Sequence, residues 1–208
     1  MTHSSVSDRK KLFLDMVGDS VLSPESLVEE LDEMGFFTAP ASTKYHGNYE
    51  GGLFDHSYMM ARCLELMTDQ MGLEWEDERS PWMIGLFHDL CKCDAYVQNM
   101  DGSYSYNQDQ ILPGHAEKSI IVAQQTMFIP VFDEEQIACI RYHMGAYEGE
   151  KVWKNYDIAI RKYPNVLWTH TADMYASKVL GTSPDQTTLP YFWLPAQAER
   201  RRLTTGFS

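Results

Sequence analysis

The sequence predicts an all-α protein, a single helical bundle over residues 1–208, and three observations support this fold class. Apolar residues recur at helical spacing along most of the chain, and Ser, Asp or Pro stands at the start of several of these segments. Hydrophobic residues make up 44% of the 208 residues, which is enough for a folded core and too much for a disordered chain. Departure from helical periodicity is confined to one short region, near residues 94–110.

The helices are predicted from their apolar stripes and from the capping residues that precede them. Their expected bounds are Ser7-Asp8 to about Val17, Ser23-Pro24 to Gly35, Leu53 to about Met71, Ser80-Pro81 through Leu90, Pro113-Gly114 to about Phe128, Asp133 through Met144, and about Pro164 to Leu180. The segment Lys44–Gly52 holds three glycines and is predicted to be a loop.

Residues 94–110 are predicted to form a small hairpin or loop insertion. Asp101-Gly102 lies between short runs that contain Tyr96, Tyr104 and Tyr106, and an Asp-Gly pair in such a position indicates a hairpin turn. The insertion is either a surface decoration or a lid beside a binding site. Its tyrosines either pack against one another or stack on a nucleobase.

The charge of the chain limits its partners. Acidic residues outnumber basic residues 30 to 17, for a formal net charge of −13. Proteins that cover a long stretch of nucleic acid present a basic face to the phosphates, so we expect no extended nucleic-acid footprint. A free nucleotide or a short strand end stays possible, because a local metal cluster can supply positive charge that the whole chain lacks.

The cysteines and the N-terminal residues predict a cytoplasmic protein. The four cysteines lack the spacing of a structural zinc site and are too few for a disulfide framework in 208 residues, which favours reduced thiols. The first residues are polar and no stretch is apolar enough to span a membrane, so neither a signal peptide nor a membrane partner is expected.

Histidine and aspartate residues recur in the predicted core helices. His88-Asp89 interrupts an otherwise apolar helix, and a buried carboxylate without a partner is energetically costly. A bound metal ion explains both residues together, and helices of a bundle can bring further ligands to the same point. The candidate ligands are His56, His88, Asp89, His115, His143 and Asp173.

The order His…His-Asp…His…His…Asp resembles the HD-domain superfamily of metal-dependent phosphohydrolases, in the branch that binds two metals. The motifs that carry the resemblance are Gly51-Gly-Leu-Phe-Asp-His56, Gly85-Leu-Phe-His88-Asp89-Leu-Cys-Lys92, Gly114-His115, Arg141-Tyr-His143 and Thr171-Ala-Asp173. The resemblance covers about residues 45–180. The N-terminal helices at 7–35 and the tail at 181–208 are therefore expected to be peripheral to this core.

The resemblance implies two divalent transition-metal ions, with Mn, Fe, Ni, Co and Zn all compatible with His and Asp ligands. Asp89 would bridge the ions. His56, His88 and Asp173 would complete one coordination shell, and His115 and His143 the other. A metal-bridged hydroxide would then attack the phosphorus atom of the substrate.

The motifs are most similar to the HD domains of bacterial 3′–5′ exoribonucleases and to dinucleoside tetraphosphate hydrolases. This similarity implies a phosphomonoesterase or phosphodiesterase that acts on a nucleotide, dinucleotide or short oligonucleotide. The chain lacks an evident nucleic-acid-binding OB domain, and its His143 is not doubled into a His-His pair. Two alternatives stay open, a di-iron HD-type oxygenase and a non-catalytic nucleotide-binding module.

Four further residues are candidates for substrate contacts. Lys92 follows Asp89 by three residues and is expected to grip a phosphate or stabilise its transition-state charge, a catalytic role shared with Asp89. Arg141 and Lys118 are weaker candidates for phosphate binding, and Tyr96 is the candidate for stacking on a base.

Two more histidines lie near the ligand set in the sequence. His170 precedes Asp173 by one helical turn and either supports a ligand or serves in the core. His46 lies in the glycine-bearing loop before His56 and is a possible substrate-facing residue.

Overall fold

A computed structural model describes residues 4–181, and over that range the chain forms eight α-helices and one antiparallel hairpin. The elements are α1 (Val6–Val17), α2 (Pro24–Glu33), α3 (Gly52–Met71), α4 (Ser80–Phe87), β1 (Tyr96–Gln98), β2 (Tyr104–Tyr106), α5 (Ala116–Gln125), α6 (Glu134–Tyr142), α7 (Glu150–Lys162) and α8 (Asn165–Tyr175). Short 3₁₀ turns lie at Gly18–Ser20, Leu90–Cys93 and Gly145–Tyr147, and a π-helical turn, Ala176–Leu180, follows α8. The mostly helical fold with a small hairpin confirms the predicted fold class.

Local sequence sets the starts of two helices through capping boxes. At α6 the Asp133 carboxylate accepts the Gln136 backbone N–H at 2.7 Å, and the Gln136 side chain accepts the Asp133 N–H at 3.0 Å. At α1 the cap is Ser5, which pairs with Asp8 in the same way. Helix α1 therefore begins earlier than the predicted Ser7-Asp8 cap.

Helix α3 is the central element, and it packs against α4 and α8, while α6 packs against α4, α5 and α8. Leu53, Phe54, Met60 and Leu64 of α3 are fully buried in this core. The crossing with α4 is very close, because a Cβ atom added at Gly85 would lie 2.3 Å from the Ala61 Cα. The backbones of α3 and α4 therefore touch directly at this point.

The N-terminal helices belong to the same core, which differs from the peripheral position predicted for them. Phe13 of α1 and Leu27 and Leu31 of α2 are fully buried. The Phe13 ring packs edge-on against Phe37, with ring centroids 5.9 Å apart, and also contacts Phe87 of α4. The apolar stripes of these helices were visible in the sequence, but their packing partners were not. The predicted C-terminal tail, apart from Gly181, lies outside the described residues.

The largest differences from the predicted helices are at α4, α5 and α7. Helix α4 ends at Phe87, and the chain from Leu90 continues as a 3₁₀ turn instead of α-helix. Helix α5 spans only Ala116–Gln125, because its N-cap is His115 and not Pro113-Gly114. Helix α7 was not predicted at all, and it lies mainly on the surface, with only Ala159 buried.

Across residues 4–181, no helix combines the length and the apolar character needed to cross a membrane. The longest, α3, has 20 residues and includes Asp55, Arg62, Glu65 and Asp69.

Candidate metal centre

The six predicted ligand side chains meet in one cluster inside the bundle. They come from the first turns of α3, the end of α4, the residue before α5, the end of α6 and the last turn of α8, namely His56, His88 with Asp89, His115, His143 and Asp173. His56, His88, Asp89 and His143 are no more than 2% exposed. Most of these residues lie at helix ends, so the packing of the bundle sets the distances between them.

The first group of donor atoms surrounds the Nε2 atom of His56. This atom lies 3.3 Å from the His88 Nε2 and 3.1 Å from the Asp173 Oδ1. The Asp89 Oδ2 lies 3.2 Å from the His88 Nε2 and 3.6 Å from the His56 Nε2. Two nitrogens and two carboxylate oxygens therefore face a common point.

The second group lies on the other side of Asp89. The His115 Nε2 is 3.1 Å from the His143 Nε2, and the Asp89 Oδ1 is 3.4 Å from the former and 3.8 Å from the latter. This Oδ1 is buried and has no hydrogen-bond partner among the described residues. Each oxygen of Asp89 thus faces a different pair of histidines.

Backbone carbonyls select the tautomers of two of these histidines. The His88 Nδ1 lies 2.9 Å from the Gly85 carbonyl oxygen, and the His143 Nδ1 lies 2.7 Å from the Ile140 carbonyl oxygen. A ring nitrogen that faces a carbonyl carries the proton, so the Nε2 of each ring presents a lone pair to the cluster. Lone pairs of the His143 and His115 rings at hydrogen-bond distance from each other suit a cation that both can bind.

His170 supports the second group through the backbone. Its Nδ1–H donates to the His143 carbonyl oxygen at 2.7 Å. Its ring also lies against Gly145, where an added Cβ would approach the ring to 2.6 Å. Gly145 has a φ of +50°, so glycine is favoured there by both backbone conformation and space.

Cys91 contacts His115 and was not identified as a site residue from the sequence. Its Sγ lies 3.1 Å from the His115 Nδ1, where His88 and His143 have carbonyl oxygens instead. Burial raises the pKa of the Cys91 thiol to about 12, so the thiol stays protonated near neutral pH. Donor atoms of Cys91, Asp89 and His115 lie within 4.8 Å of one another, so this thiol is close enough to join a metal shell.

A buried ion pair anchors the start of α3, next to His56. The Arg9 guanidinium donates to both oxygens of Asp55, at 2.9 Å and 3.1 Å, and to the Glu50 carbonyl oxygen at 3.1 Å. Arg9 also fills the space where a side chain at Gly51 would lie, since an added Cβ there would be 2.1 Å from the guanidinium carbon. Gly51, with a φ of +82°, therefore has to be glycine for this contact to form.

The electrostatics of the cluster keep carboxylates charged and most imidazoles neutral. Burial lowers the pKa of His143 to about 3 and also lowers the pKa of His56. Burial opposes ionisation of Asp89, but the Lys92 ammonium together with the His88 and His115 rings outweighs it and holds the pKa of Asp89 well below its usual range. Burial likewise opposes the charge of His88, but the adjacent Asp89 carboxylate raises the pKa of that ring.

These donor atoms fit a metal site. Neutral imidazoles and anionic carboxylates are the forms that bind divalent cations, and a mixed N and O donor set suits Mn, Fe, Co, Ni or Zn. The unpartnered Asp89 Oδ1 is an orphaned buried atom that a bound cation would satisfy. The buried His and Asp groups therefore suggest a metal site of the kind found in HD domains.

The cluster forms one wall of a cavity of about 550 Å³. This volume lies within the range of roughly 300–1,000 Å³ typical of small-molecule sites. Lys92 lines it and donates to the Asp89 Oδ2 at 2.6 Å. The hairpin contributes Tyr96 and Tyr106, whose ring centroids are 5.4 Å apart, whereas Tyr104 does not line the cavity.

The other two predicted phosphate contacts lie outside the cavity lining. The Lys118 ammonium is only 2% exposed and binds the Asp94 carboxylate and, at 2.9 Å, the Gln110 side chain. Arg141 is paired with Glu117 at 2.7 Å and Glu148 at 2.9 Å. Both charges are engaged by carboxylates from other segments, and we assign neither residue to the substrate.

Lys118 instead binds residues at both ends of the 94–110 insertion. Asp94 precedes β1 and Gln110 follows β2, so one ammonium holds the two ends of the hairpin that brings Tyr96 to the cavity. A Lys118→Met variant is expected to increase amide hydrogen exchange of residues 94–110 by about 10–100-fold, because a hydrogen bond to a charged group contributes about 1.5–3 kcal/mol. Lys154→Met, on exposed α7, is the matched control. Unchanged exchange in the hairpin would show that Lys118 does not hold it.

Several cavity residues were missed by sequence reasoning. They come from the loop before α3 and from the segments after α6 and α8, and include Tyr45, Tyr147 and Lys178. His46, which the sequence left undecided, also lines the cavity and packs against His56 with ring centroids 4.8 Å apart. No spacing rule links these residues to the His/Asp motifs, so only the folded chain shows that they share a site.

The HD domain family matches residues 53–180, more than half of the chain. The protein therefore belongs to the HD-domain family, whose members are typically metal-dependent phosphohydrolases. No curated protein and no solved structure matches the chain significantly.

Proposed function

We propose that the protein is a phosphohydrolase that holds two divalent cations and acts on a nucleotide, dinucleotide or short oligonucleotide. The observation that carries this proposal is the position of Asp89, whose Oδ2 faces His56 and His88 while its Oδ1 faces His115 and His143. A carboxylate arranged in this way suits a bridge between two ions.

The ligands divide between the two ions as follows. His56, His88 and Asp173 would hold one ion, and His115 and His143 the other, with Asp89 shared. Divalent cations bound here would supply an acidified water and positive charge beside the phosphate oxygens. The carbonyls that orient His88 and His143 keep their Nε2 lone pairs directed at these positions before any ion arrives.

Lys92 is proposed to contact the phosphate. Burial disfavours its charge, but the Asp89 carboxylate outweighs burial and raises the pKa of Lys92 above its usual value. The side chain therefore stays an ammonium at the cavity wall, where it donates to Asp89. There it would stabilise the charge that develops on a phosphate bound at the metal centre.

Two features support a nucleotide as the substrate. Tyr96 and Tyr106 supply aromatic surface on the hairpin side of the cavity, which suits stacking on a base. The cavity volume of about 550 Å³ and the net charge of −13 favour a small ligand over a long nucleic-acid strand.

The test is elemental analysis of the purified protein, followed by a phosphate-release screen over nucleotides, dinucleotides and short RNA with added Mn²⁺. We expect about two bound metal ions per chain and turnover that is equal in air and under nitrogen. A strict need for iron together with O₂ consumption would instead indicate the oxygenase. Binding of a nucleotide without turnover under any condition would indicate a binding module.

A Lys92→Met variant is expected to lower turnover by about 10²–10³-fold even when Mn²⁺ is added to saturation, because a fixed charge at a reacting phosphate is worth that much. Lys92→Arg should recover part of the rate, since it restores the charge. If Lys92→Met kept the turnover of the wild type, Lys92 would have no role in binding the phosphate and would only pair with Asp89.

A further inference from the structure

Lys178 is a cation at the cavity wall whose charge the metal centre does not use. It lies in the π-helical turn after α8, five residues beyond Asp173. Asp173, Met174, Ser177 and Lys178 all line the cavity, so this face of α8 and its π turn runs from the metal centre outward. At about 1.5 Å of rise per residue, Lys178 is about 7 Å further along the axis than Asp173.

The positive charge of Lys178 has no carboxylate partner among residues 4–181. Lys92, the other lysine of the cavity wall, is paired with Asp89 at 2.6 Å, and Lys118 is paired with Asp94. Lys178 instead lies over the ring of Tyr45, with its Nζ 5.8 Å from the ring centroid. A cation–π contact leaves the ammonium hydrogens free to donate to an anion.

The loop that carries Tyr45 is held in shape by its own hydrogen bonds. The Ser42 Oγ accepts the Tyr45 backbone N–H at 2.8 Å, and its hydroxyl donates to the His46 carbonyl oxygen at 2.9 Å. Tyr45 is 76% exposed, so its position depends on this turn and on Lys178, not on core packing. The turn thus fixes the backbone that carries the Tyr45 ring, and the Lys178 ammonium lies over that ring.

His46, the residue after Tyr45 in this loop, lines the cavity on the side of the metal centre, where its ring packs against His56 with centroids 4.8 Å apart. Its Nε2 is buried and has no hydrogen-bond partner among the described residues, although the side chain lines the cavity. Buried polar atoms are rarely left without a partner, so this nitrogen is available to a ligand.

We propose that Lys178, with Tyr45 and His46, forms a second phosphate-binding subsite for a phosphoryl group that is not hydrolysed. The substrate would then be a nucleotide that carries at least two phosphoryl groups, one at the metal centre and one at Lys178. This inference rests on the proposed function for the first phosphate. The hairpin tyrosines provide the stacking surface for the base, which leaves Lys178 and the 42–46 loop for the second anion.

The experiment compares two ligands that differ by one phosphate, adenosine 3′,5′-bisphosphate and adenosine 5′-monophosphate, and repeats the pair with guanosine. Equilibrium binding to the metal-loaded protein is measured by calorimetry for wild type, Lys178→Gln and Lys178→Arg, with each nucleotide supplied as its non-hydrolysable phosphonate analogue so that the ligand is bound and not consumed. Lys154→Gln, an exposed lysine of α7, is the matched control. We expect Lys178→Gln to weaken bisphosphate binding by about 10-fold and monophosphate binding by less than about 2-fold, with Lys178→Arg close to wild type.

The outcomes separate the subsite from the hydrolase proposal. Loss of bisphosphate selectivity in Lys178→Gln supports the subsite even if the phosphate-release screen is negative, in which case only the hydrolase proposal fails. Phosphate release by wild type combined with unchanged bisphosphate binding in Lys178→Gln overturns the subsite alone. Equal weakening of both ligands, or no preference of the wild type for the bisphosphates, also overturns it.

Discussion

An Asp89→Asn variant is expected to purify with little bound metal and to lose more than about 100-fold in turnover. Partners that only orient a metal ligand are already worth about 10–100-fold in affinity, and Asp89 faces both groups of donor atoms itself. An amide is neutral and presents one oxygen, so it cannot serve both sides. Elemental analysis and phosphate release measure the two effects, and Asp89→Ala should behave in the same way.

The fold of Asp89→Asn should survive, because the surrounding core is built from apolar side chains of α3, α4 and α8, none of which is among the six predicted ligands. Circular dichroism checks this point. Asp157→Asn, at the surface end of an exposed ion pair with Arg161, is the control and should keep both metal and turnover. Full metal content in Asp89→Asn would show that Asp89 is not a metal ligand.

An Arg9→Met variant is expected to lose about 3–5 kcal/mol of unfolding free energy, because it leaves a buried carboxylate without its cation. Arg9 is 2% exposed and Asp55 is 1% exposed, so water cannot replace the guanidinium without opening the core. Tyr49, whose hydroxyl donates to the Asp55 Oδ2 at 3.0 Å, would be left as a single weak partner. Urea unfolding followed by tryptophan fluorescence measures the loss.

The double variant Arg9→Met with Asp55→Asn should recover part of that stability, since no buried charge remains to be compensated. Equal destabilisation by the single and double variants would mean that packing of the arginine stem, and not the ion pair, is what matters. Because Asp55 precedes His56, the single variant is also a test of whether this anchor holds the first turns of α3 in register.

The sequence predicted most helices from their apolar patterns and start signals, and it missed one whose pattern was also present. The apolar run Trp82–Phe87 favours a buried helix, and the Asp133 capping signal is visible without any tertiary information. Helix α7 exposes most of its side chains, but Val152, Tyr156 and Ile160 recur at helical spacing, so its sequence is amphipathic and could have been predicted as a helix. What the sequence does not show is that this face packs against α6 and α8.

The six His and Asp residues could be grouped from the sequence because each stands in a recognisable motif, and the fold does bring them together. The roles of the lysines and arginines could not be predicted in the same way. Lys118 and Asp94 are 24 residues apart, and Lys178 reaches Tyr45 across most of the chain. A long, flexible cation takes whichever partner the fold places near its end, so its role follows from tertiary structure.

Gly85 and Ala61 are in direct contact, so the backbones of α3 and α4 set the distance between His56 and His88. Because the two helices meet without intervening side chains, their separation at the crossing does not depend on how well the neighbouring core is filled. Substitutions that loosen or overfill the neighbouring core would lower the stability of the protein but leave the distance between the His56 and His88 imidazoles unchanged. A Gly85→Ala substitution, by contrast, would force α3 and α4 apart. It would thereby increase the distance between the two rings, which have to bind the same ion.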